Sequence, residues 1–536
     1  ITTLQGTRHC WILEPVKEST VPDGEYGLVA PVPAGSVSPS ALADNESVSR
    51  IERNKSTILS AVDPRFAGRD TLLQGPIAPR LIGLALPILI VLAVQTLVSV
   101  AETYFVGFLG DDALAGVALV FPILMLMTMM SNGGIGGGVA SAIARAVGAG
   151  RMGDAEALMG HSVVIAVAFG AVFTAAMLGA GEALFSALGG RGEVLANAWR
   201  YSSLVFGAAV PIWIVNLLAA ALRGAGNVRI PAILTAVGAA MTLCLSPLLI
   251  FGWGPFPRFG VAGAGLAMIV YYVIATAALI AYLRSPHTPI RLVRTRIRWR
   301  LMKDILGVGT LSAVGTVVAN LTVVLATGFV GGFGGAAIAG YGMASRLDYL
   351  LIPLLFALGT ASLTMVGTNV GAGQMRRARH IAWIAALISA GATGLIGLAA
   401  ALAPAGWIRL FSDSPQVIRV GVDYLHRAAP FYACYGFGMA LYFASQGAGS
   451  VLWPFIAGCV RLAVVTIGGW YWITVLHGSL EGLFWIIAAS LVLFGVVNVV
   501  AFATGLSWRT LPSLASRKEQ HEDLRVAEGQ AAARIE

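Results

Sequence analysis

The sequence predicts an all-α polytopic membrane protein, with twelve transmembrane helices in two six-helix bundles that flank a V-shaped cleft. Three observations carry that expectation: a long middle region almost without charge, a train of apolar segments of bilayer-spanning length, and landmarks that recur at a near-constant spacing. Of the 536 residues, 57% are hydrophobic and 11% charged, against ~25% charged in an average soluble chain. Residues 1–80 hold 8 basic and 9 acidic residues and residues 507–536 hold 5 of each, which leaves 22 basic and 12 acidic residues for the 426 positions of 81–506. So few charges cannot clothe a water-facing surface.

Residues 1–80 mix Pro, Ser, Gly and charge with no long apolar run, and read as a disordered cytoplasmic extension. From Leu81 onward, segments of about 20 apolar residues, enough to cross the hydrocarbon core as a helix, recur at 81–108, 113–147, 156–180, 201–222, 230–252 and 261–283. After a basic linker at 285–303 they resume at 304–329, 336–370, 379–403, 424–446, 452–475 and 480–506. Glycine, proline or charge gathers at the breaks, as in Gly110-Asp111-Asp112. This gives a first bundle over 81–284, a second over 304–506, and a cytoplasmic tail over 507–536.

Net charge is +9, which in a soluble chain would point to nucleic acid. Here the basic residues lie between apolar segments and set topology instead. Even-numbered loops carry Arg151, Arg223, Arg229, Arg284, Arg291, Arg294, Arg376, Arg377 and Arg379, whereas odd-numbered loops carry fewer, chiefly Arg191, Arg200, Arg258, Arg409 and Arg419. Both termini are therefore expected in the cytoplasm of an inner-membrane protein, with the linker against anionic lipid. No nucleic-acid partner is implied, and no metal-ligand spacing or nucleophile–base constellation suggests an enzyme.

The repeat is explicit. Phe105-Val106-Gly107 recurs as Phe329-Val330-Gly331, Gly110 as Gly334 and Ala115-Gly116 as Ala339-Gly340, all 224 residues on. Gly148-Ala149-Gly150 recurs as Gly371-Ala372-Gly373, Gly224-Ala225-Gly226 as Gly447-Ala448-Gly449, and Pro231 as Pro454, all 223 residues on. Six spans per copy start both copies on the same side, which relates them by an axis along the membrane normal.

These residues also carry a likeness. With Glu102-Thr103-Tyr104-Phe105-Val106-Gly107, Ala144-Arg145-Ala146-Val147-Gly148-Ala149-Gly150 and Leu222-Arg223-Gly224-Ala225-Gly226, echoed by Ala339-Gly340-Tyr341, Gly367 to Gly373 and Gln446-Gly447-Ala448-Gly449, the chain resembles the multidrug and toxic compound extrusion (MATE) family over about 81–506. The resemblance implies efflux of amphipathic organic compounds, coupled to inward flow of H⁺ or Na⁺. It also matches Glu102 to an acidic position on the family's first helix. The chain departs from the family at the fifth helix, where Thr242 and Ser246 stand in place of Asn and Asp, and at Val318-Ala319-Asn320-Leu321, which lacks an acidic residue that one branch carries.

The residues themselves point to Glu102 independently. It is the one carboxylate well inside a first-half span. A charge at the bilayer centre costs ~2.5–3.5 kcal/mol on insertion scales, so such groups face cavities and work there. A carboxyl out of water favours its neutral form, which makes it a reversible proton acceptor. Asn216 is expected to hydrogen-bond Glu102, completing a coupling site. Gln95, seven residues earlier on the same helical face, is assigned to the substrate cleft, with Asn320, Tyr341 and Asp348 as polar contacts from the second bundle. For Arg346 and Asp348 two readings stand: they mark a second cavity, or they seal packing through separate partners. Met125, Met127, Met129 and Met130 are assigned to packing, and the glycines of 133–138 to close helix approach or bending. A lone carboxylate among hydroxyls suits H⁺ better than Na⁺, which prefers several oxygen ligands. The expectation is thus a monomeric H⁺-coupled exporter without a cofactor, with small amphipathic substrates and membrane lipids as partners. The alternative is a flippase for a lipid-linked precursor.

Overall fold

The computed structural model describes residues 67–508 except 255 and 287, and every regular element among them is helical. In hydrocarbon each backbone N–H and C=O has to bond within its own segment, so apolar runs of this length become helices. A short helix α1 (Ala67–Leu73) precedes α2 (Ile77–Gly107), α3 (Asp111–Gly148), α4 (Met152–Ala187), α5 (Gly192–Gly207), α6 (Ala209–Gly224), α7 (Arg229–Phe251) and α8 (Val261–Arg284). The second series is α9 (Trp299–Gly331), α10 (Gly335–Gly371), α11 (Met375–Leu402), the short α12 (Pro404–Ile408), α13 (Pro415–Ala428), α14 (Tyr432–Ala448), α15 (Leu452–Thr474) and α16 (Leu480–Ala503).

Among the described residues ten helices are individually long and apolar enough to span, and α5 with α6, bent by 50°, forms an eleventh span. The twelfth is α13 with α14, joined by the single 3-10 turn Ala429–Phe431. A shift of 223 carries Ala208, at the first break, onto Phe431, at the second. These two spans start earlier than hydropathy indicates, at Gly192 and Pro415 rather than at 201 and 424. Their outer pieces are amphipathic: α13 buries Val417, Gly421, Tyr424, Leu425 and Ala428 on one face while carrying Arg419, Asp423 and Arg427. An averaged hydropathy cannot register such a segment.

The expectation of disorder through residue 80 fails at its C-terminal end. Residues 67–73 are helical with Leu72 and Leu73 buried, and α2 begins at Ile77; residues 1–66 lie outside those described, as do 509–536 of the tail. The basic linker is not wholly given over to the membrane surface. Asp154 of α4 pairs with Arg298 and Arg300 at 3.2 and 3.3 Å, and His161 accepts the Arg298 N–H at Nε2 over 2.8 Å while Nδ1–H donates to the Ala157 carbonyl.

The bundles meet at the end that bears the arginines. There Ser141 Oγ donates to the carbonyls of Gln446 and Gly447, the latter at 3.1 Å, and Arg145 reaches Ser141 Oγ, the Gly447 carbonyl and, at 3.8 Å, Asp304. Gln446 Nε2 donates to the Gly133 carbonyl at 2.9 Å, and Thr364 Oγ1 to the Arg223 carbonyl at 3.0 Å. α1 straps the same seam, with Arg69 Nε on the Gly148 carbonyl (3.2 Å) and Asn369 Nδ2 on the Leu72 carbonyl (3.2 Å). Toward the opposite end the cores part: one cluster holds Val120, Phe185 and Val205 of the first bundle, another Tyr341, Tyr424 and Phe484 of the second. No hydrogen bond or ion pair among the described residues joins the bundles there.

The glycines at 133–138 serve both expected ends. Met130–Ile135 forms a π-turn within α3, and a Cβ on Gly138 would meet the Gly309 nitrogen of α9 at 2.7 Å, so the helices approach to backbone contact. Gly138→Val is expected to cost ~1–3 kcal/mol by overpacking and to lower the melting temperature in detergent. Gly307→Ala, whose Cβ meets nothing within 4 Å, is the control and leaves it unchanged or higher.

Candidate functional site

Glu102 lies five residues before the end of α2 and is half-buried. Its Oε1 accepts a hydrogen bond from Ser246 Oγ of α7 at 3.2 Å. Ser246 is fully buried and immediately precedes Pro247. Tyr201 of α5 and Tyr272 of α8, both buried, are electrostatic neighbours of the carboxyl. The acid therefore has a hydroxyl partner, with two buried phenols among its electrostatic neighbours.

Asn216 does not complete this site. It donates to Ser131 Oγ in the π-turn of α3 at 2.7 Å. The bend at Ala208 explains the miss: Tyr201 on α5 stands beside Glu102, whereas Asn216 on α6 lies 15 residues further along, roughly 20 Å at 1.5 Å per residue. Gln95 is exposed on the α2 face it shares with Glu102, about 200° around the helix from the exposed Leu97. Asn320 is half-buried, donating to the Thr316 carbonyl of its own helix at 2.9 Å and lying 3.7 Å from Met129 Sδ of the other bundle. Of the methionine patch, Met127 is fully buried while Met129 faces this contact.

Tyr341 is a correction. It is 4% exposed and packs inside the second bundle, edge-on to Tyr424 at 5.0 Å and stacked on Phe484 at 6.2 Å, so it is a core residue rather than a cleft contact. Asp348 sits beside this aromatic group. Its carboxyl accepts from Tyr424 Oη at 2.8 Å and from Tyr432 Oη, with Arg461 as an electrostatic neighbour. Arg346 faces elsewhere, over the Phe411 ring at 5.1 Å. The pair thus follows the reading of separate partners. Arg461 lies over the Tyr435 ring at 5.0 Å.

Glu102 thus has tyrosines as electrostatic neighbours and Asp348 has them as hydrogen-bond donors, and the 223 spacing carries Tyr201 onto Tyr424. Ser246, Tyr201, Tyr424 and Tyr432 escaped sequence reasoning as partners, although the repeat offset was a signal for the tyrosine pair. Arg223 escaped too. Placed in a loop by hydropathy, it is 9% exposed in the last turn of α6. It donates to Asn132 Oδ1 at 3.3 Å and leaves Nε without a partner. Its repeat counterpart is Gln446, which lines the same small void at the seam.

Asp348→Leu is expected to strand two buried phenol hydroxyls at ~1–3 kcal/mol each. Adding Tyr424→Phe and Tyr432→Phe on that background should recover part of the loss in a detergent melt. A triple variant no more stable than the single one would remove this network from the forces that hold α10 to α13.

A family model described as MatE matches residues 87–248 and 312–472, one copy in each bundle. The chain is 27% identical to an FAD transporter of Shewanella oneidensis, over 65% of this chain and 78% of that protein. It is 28% identical to the probable multidrug resistance protein NorM of Thermotoga maritima, over 64% of this chain and 74% of that protein. A MOP superfamily transporter from Pyrococcus furiosus superposes with a TM-score of 0.74 at 25% identity, covering 82% of this chain and 98% of the other.

Proposed function

This chain belongs to the MATE family of membrane transporters, and from that footing we propose that it exports amphipathic organic compounds, predominantly cationic, by antiport with H⁺. The observation that carries the proposal is Glu102, an interior carboxyl whose hydrogen-bond partner is one neutral hydroxyl, Ser246. Such a group binds and releases a proton without leaving an uncompensated cation behind. Na⁺ coupling is the weaker reading, because a dehydrated hard cation prefers more oxygen ligands than one carboxyl and one hydroxyl.

With the arginine-bearing end cytoplasmic, the seam closes the inner side and the parted cores open outward. Protonation of Glu102 from outside then opposes substrate binding in the cleft, and proton release inside resets the affinity. Two ligands coupled in this way must lower each other's affinity by the same factor. One chain encloses the whole cleft, so a monomer suffices, and no cofactor enters the scheme.

A second reading, export or flipping of an anionic amphiphile, rests on Arg223. Among the described residues this buried guanidinium at the seam has no carboxylate within ion-pair reach, and one relative is named for a flavin dinucleotide. An uncompensated buried charge is costly, and an anionic substrate group would offset it.

Right-side-out vesicles loaded with a cationic dye distinguish these readings. Glu102→Gln is expected to abolish efflux driven by a pH gradient while Glu102→Asp retains it, and a Na⁺ gradient alone should drive little. Dye efflux unchanged in Glu102→Gln would sink the coupling assignment. Arg223→Gln, which installs the residue found at the repeat position, is expected to spare dye efflux. A selective loss of flavin dinucleotide transport in that variant would favour the second reading.

A further inference from the structure

The linker that joins the bundles is docked against the protein. Thr288 and Ile290 are buried, the Leu292 N–H donates to the Leu283 carbonyl at 2.9 Å, and a Cβ on Gly160 of α4 would meet Thr295 Oγ1 at 2.9 Å. The docking ends on His161 of α4, which is 2% exposed. Two backbone groups fix its ring: the Ala157 carbonyl takes Nδ1–H at 2.6 Å, and Nε2 accepts the Arg298 N–H at 2.8 Å. A carbonyl cannot donate and an amide N–H cannot accept, so the docked linker requires the neutral imidazole with its proton on Nδ1. Arg298 immediately precedes α9. The bond therefore ties the root of the second bundle's first helix to a helix of the first bundle.

We propose that this contact is a pH-sensitive tie: protonation of His161 releases the linker from α4 and loosens the closure of the arginine-bearing end. Histidine is the side chain whose charge changes between about pH 5 and 8. A protonated imidazole carries N–H groups on both nitrogens and accepts nothing, so Nε2–H would face the Arg298 N–H. The surrounding charges do not welcome a cation either. Asp154, two turns before His161 on the same face of α4, is already shared by Arg151, Arg298 and Arg300 at 3.1, 3.2 and 3.3 Å. Glu156 stands about 140° around the helix from His161. From the other elements packed at this end, α9 brings Lys303 and Asp304, α3 brings Arg145, which pairs with Asp304 at 3.8 Å, and α6 brings Arg223, held on Asn132. Once the imidazole lets go, the ion pairs of Asp154 remain, but Arg298 and Arg300 are 50% and 68% exposed, and exposed pairs hold little and are screened by salt. Acid on this side therefore favours parting of the bundles, whichever ion drives transport.

The test is hydrogen exchange of the linker peptide that contains Arg298, in the full chain in detergent at about pH 8 and about pH 5, with rates corrected for the intrinsic effect of pH. Acid is expected to speed exchange of this peptide about tenfold, the scale of one buried hydrogen bond lost. His161→Gln supplies an amide oxygen that accepts the same N–H and does not titrate, so its linker should stay protected at both pH values. His161→Phe removes the acceptor and should exchange fast at both, with thermal melting to show that each variant is folded. Asp154→Asn removes the ion pairs and should lower protection at both pH values while keeping the acid response. Wild-type exchange indifferent to pH, or an acid response that survives in either His161 variant, would overturn the proposal. A response that disappears in Asp154→Asn and persists without the histidine would assign the effect to that carboxylate and overturn it equally.

Discussion

The last four carbonyls of any helix lack an intrahelical donor, and at a dry interface water cannot supply one. Much of the arrangement at the arginine-bearing end follows from that constraint. Besides Gly133 within α3, the acceptors at this seam are Gln446 and Gly447 at the end of α14, Arg223 at the end of α6 and Gly148 at the end of α3, with Leu72 at the end of α1. Except for Gly148, which Arg69 of the strap serves, each is met by a donor from the other bundle or, for Leu72, from the second bundle. Closure is thus the way several helix ends complete their hydrogen bonding. Glycine supplies the proximity, because backbone carbonyls are within reach only where no Cβ intervenes, as at Gly138 against Gly309.

That logic explains why neutral side chains make most of the hydrogen bonds that cross the seam. Side-chain donors such as Ser141, Gln446, Thr364 and Asn369 are neutral and bury cheaply once bonded. Arg145 is tied to the Gly447 carbonyl and Asp304. Arg223 departs from the pattern, a guanidinium where the other repeat carries a neutral amide. The two halves share a backbone plan but differ in charge at the point where they meet.

The architecture was largely legible in the sequence. Charge depletion, span lengths and the 223–224 spacing report properties of whole segments, which local composition determines. Glu102 was legible for the same reason, since a lone carboxylate in an apolar helix has few explanations. Its partner was not: whether Ser246 or Asn216 meets it depends on the rotation of α7 and on the bend at Ala208, neither of which has a compositional signature. Tyr341 looked available because it is polar, but its ring packs against Tyr424 and Phe484. Arg223 was assigned to a loop because hydropathy treats arginine as surface, although it is buried in the last turn of α6 with Asn132 as its hydrogen-bond partner.

The broken fourth span of each bundle divides labour along one polypeptide. The outer piece, α5 or α13, carries the tyrosine that stands beside the bundle's acid, Tyr201 or Tyr424. The inner piece, α6 or α14, carries the carbonyls of the seam. Ala208 and the turn Ala429–Phe431 lie between them. A continuous helix would pass every displacement at the acid straight to the latch as a rigid rod. A jointed one lets the sensing end tilt while the latching end stays seated, so the joint sets how much movement at the acid is needed before the seam feels any load.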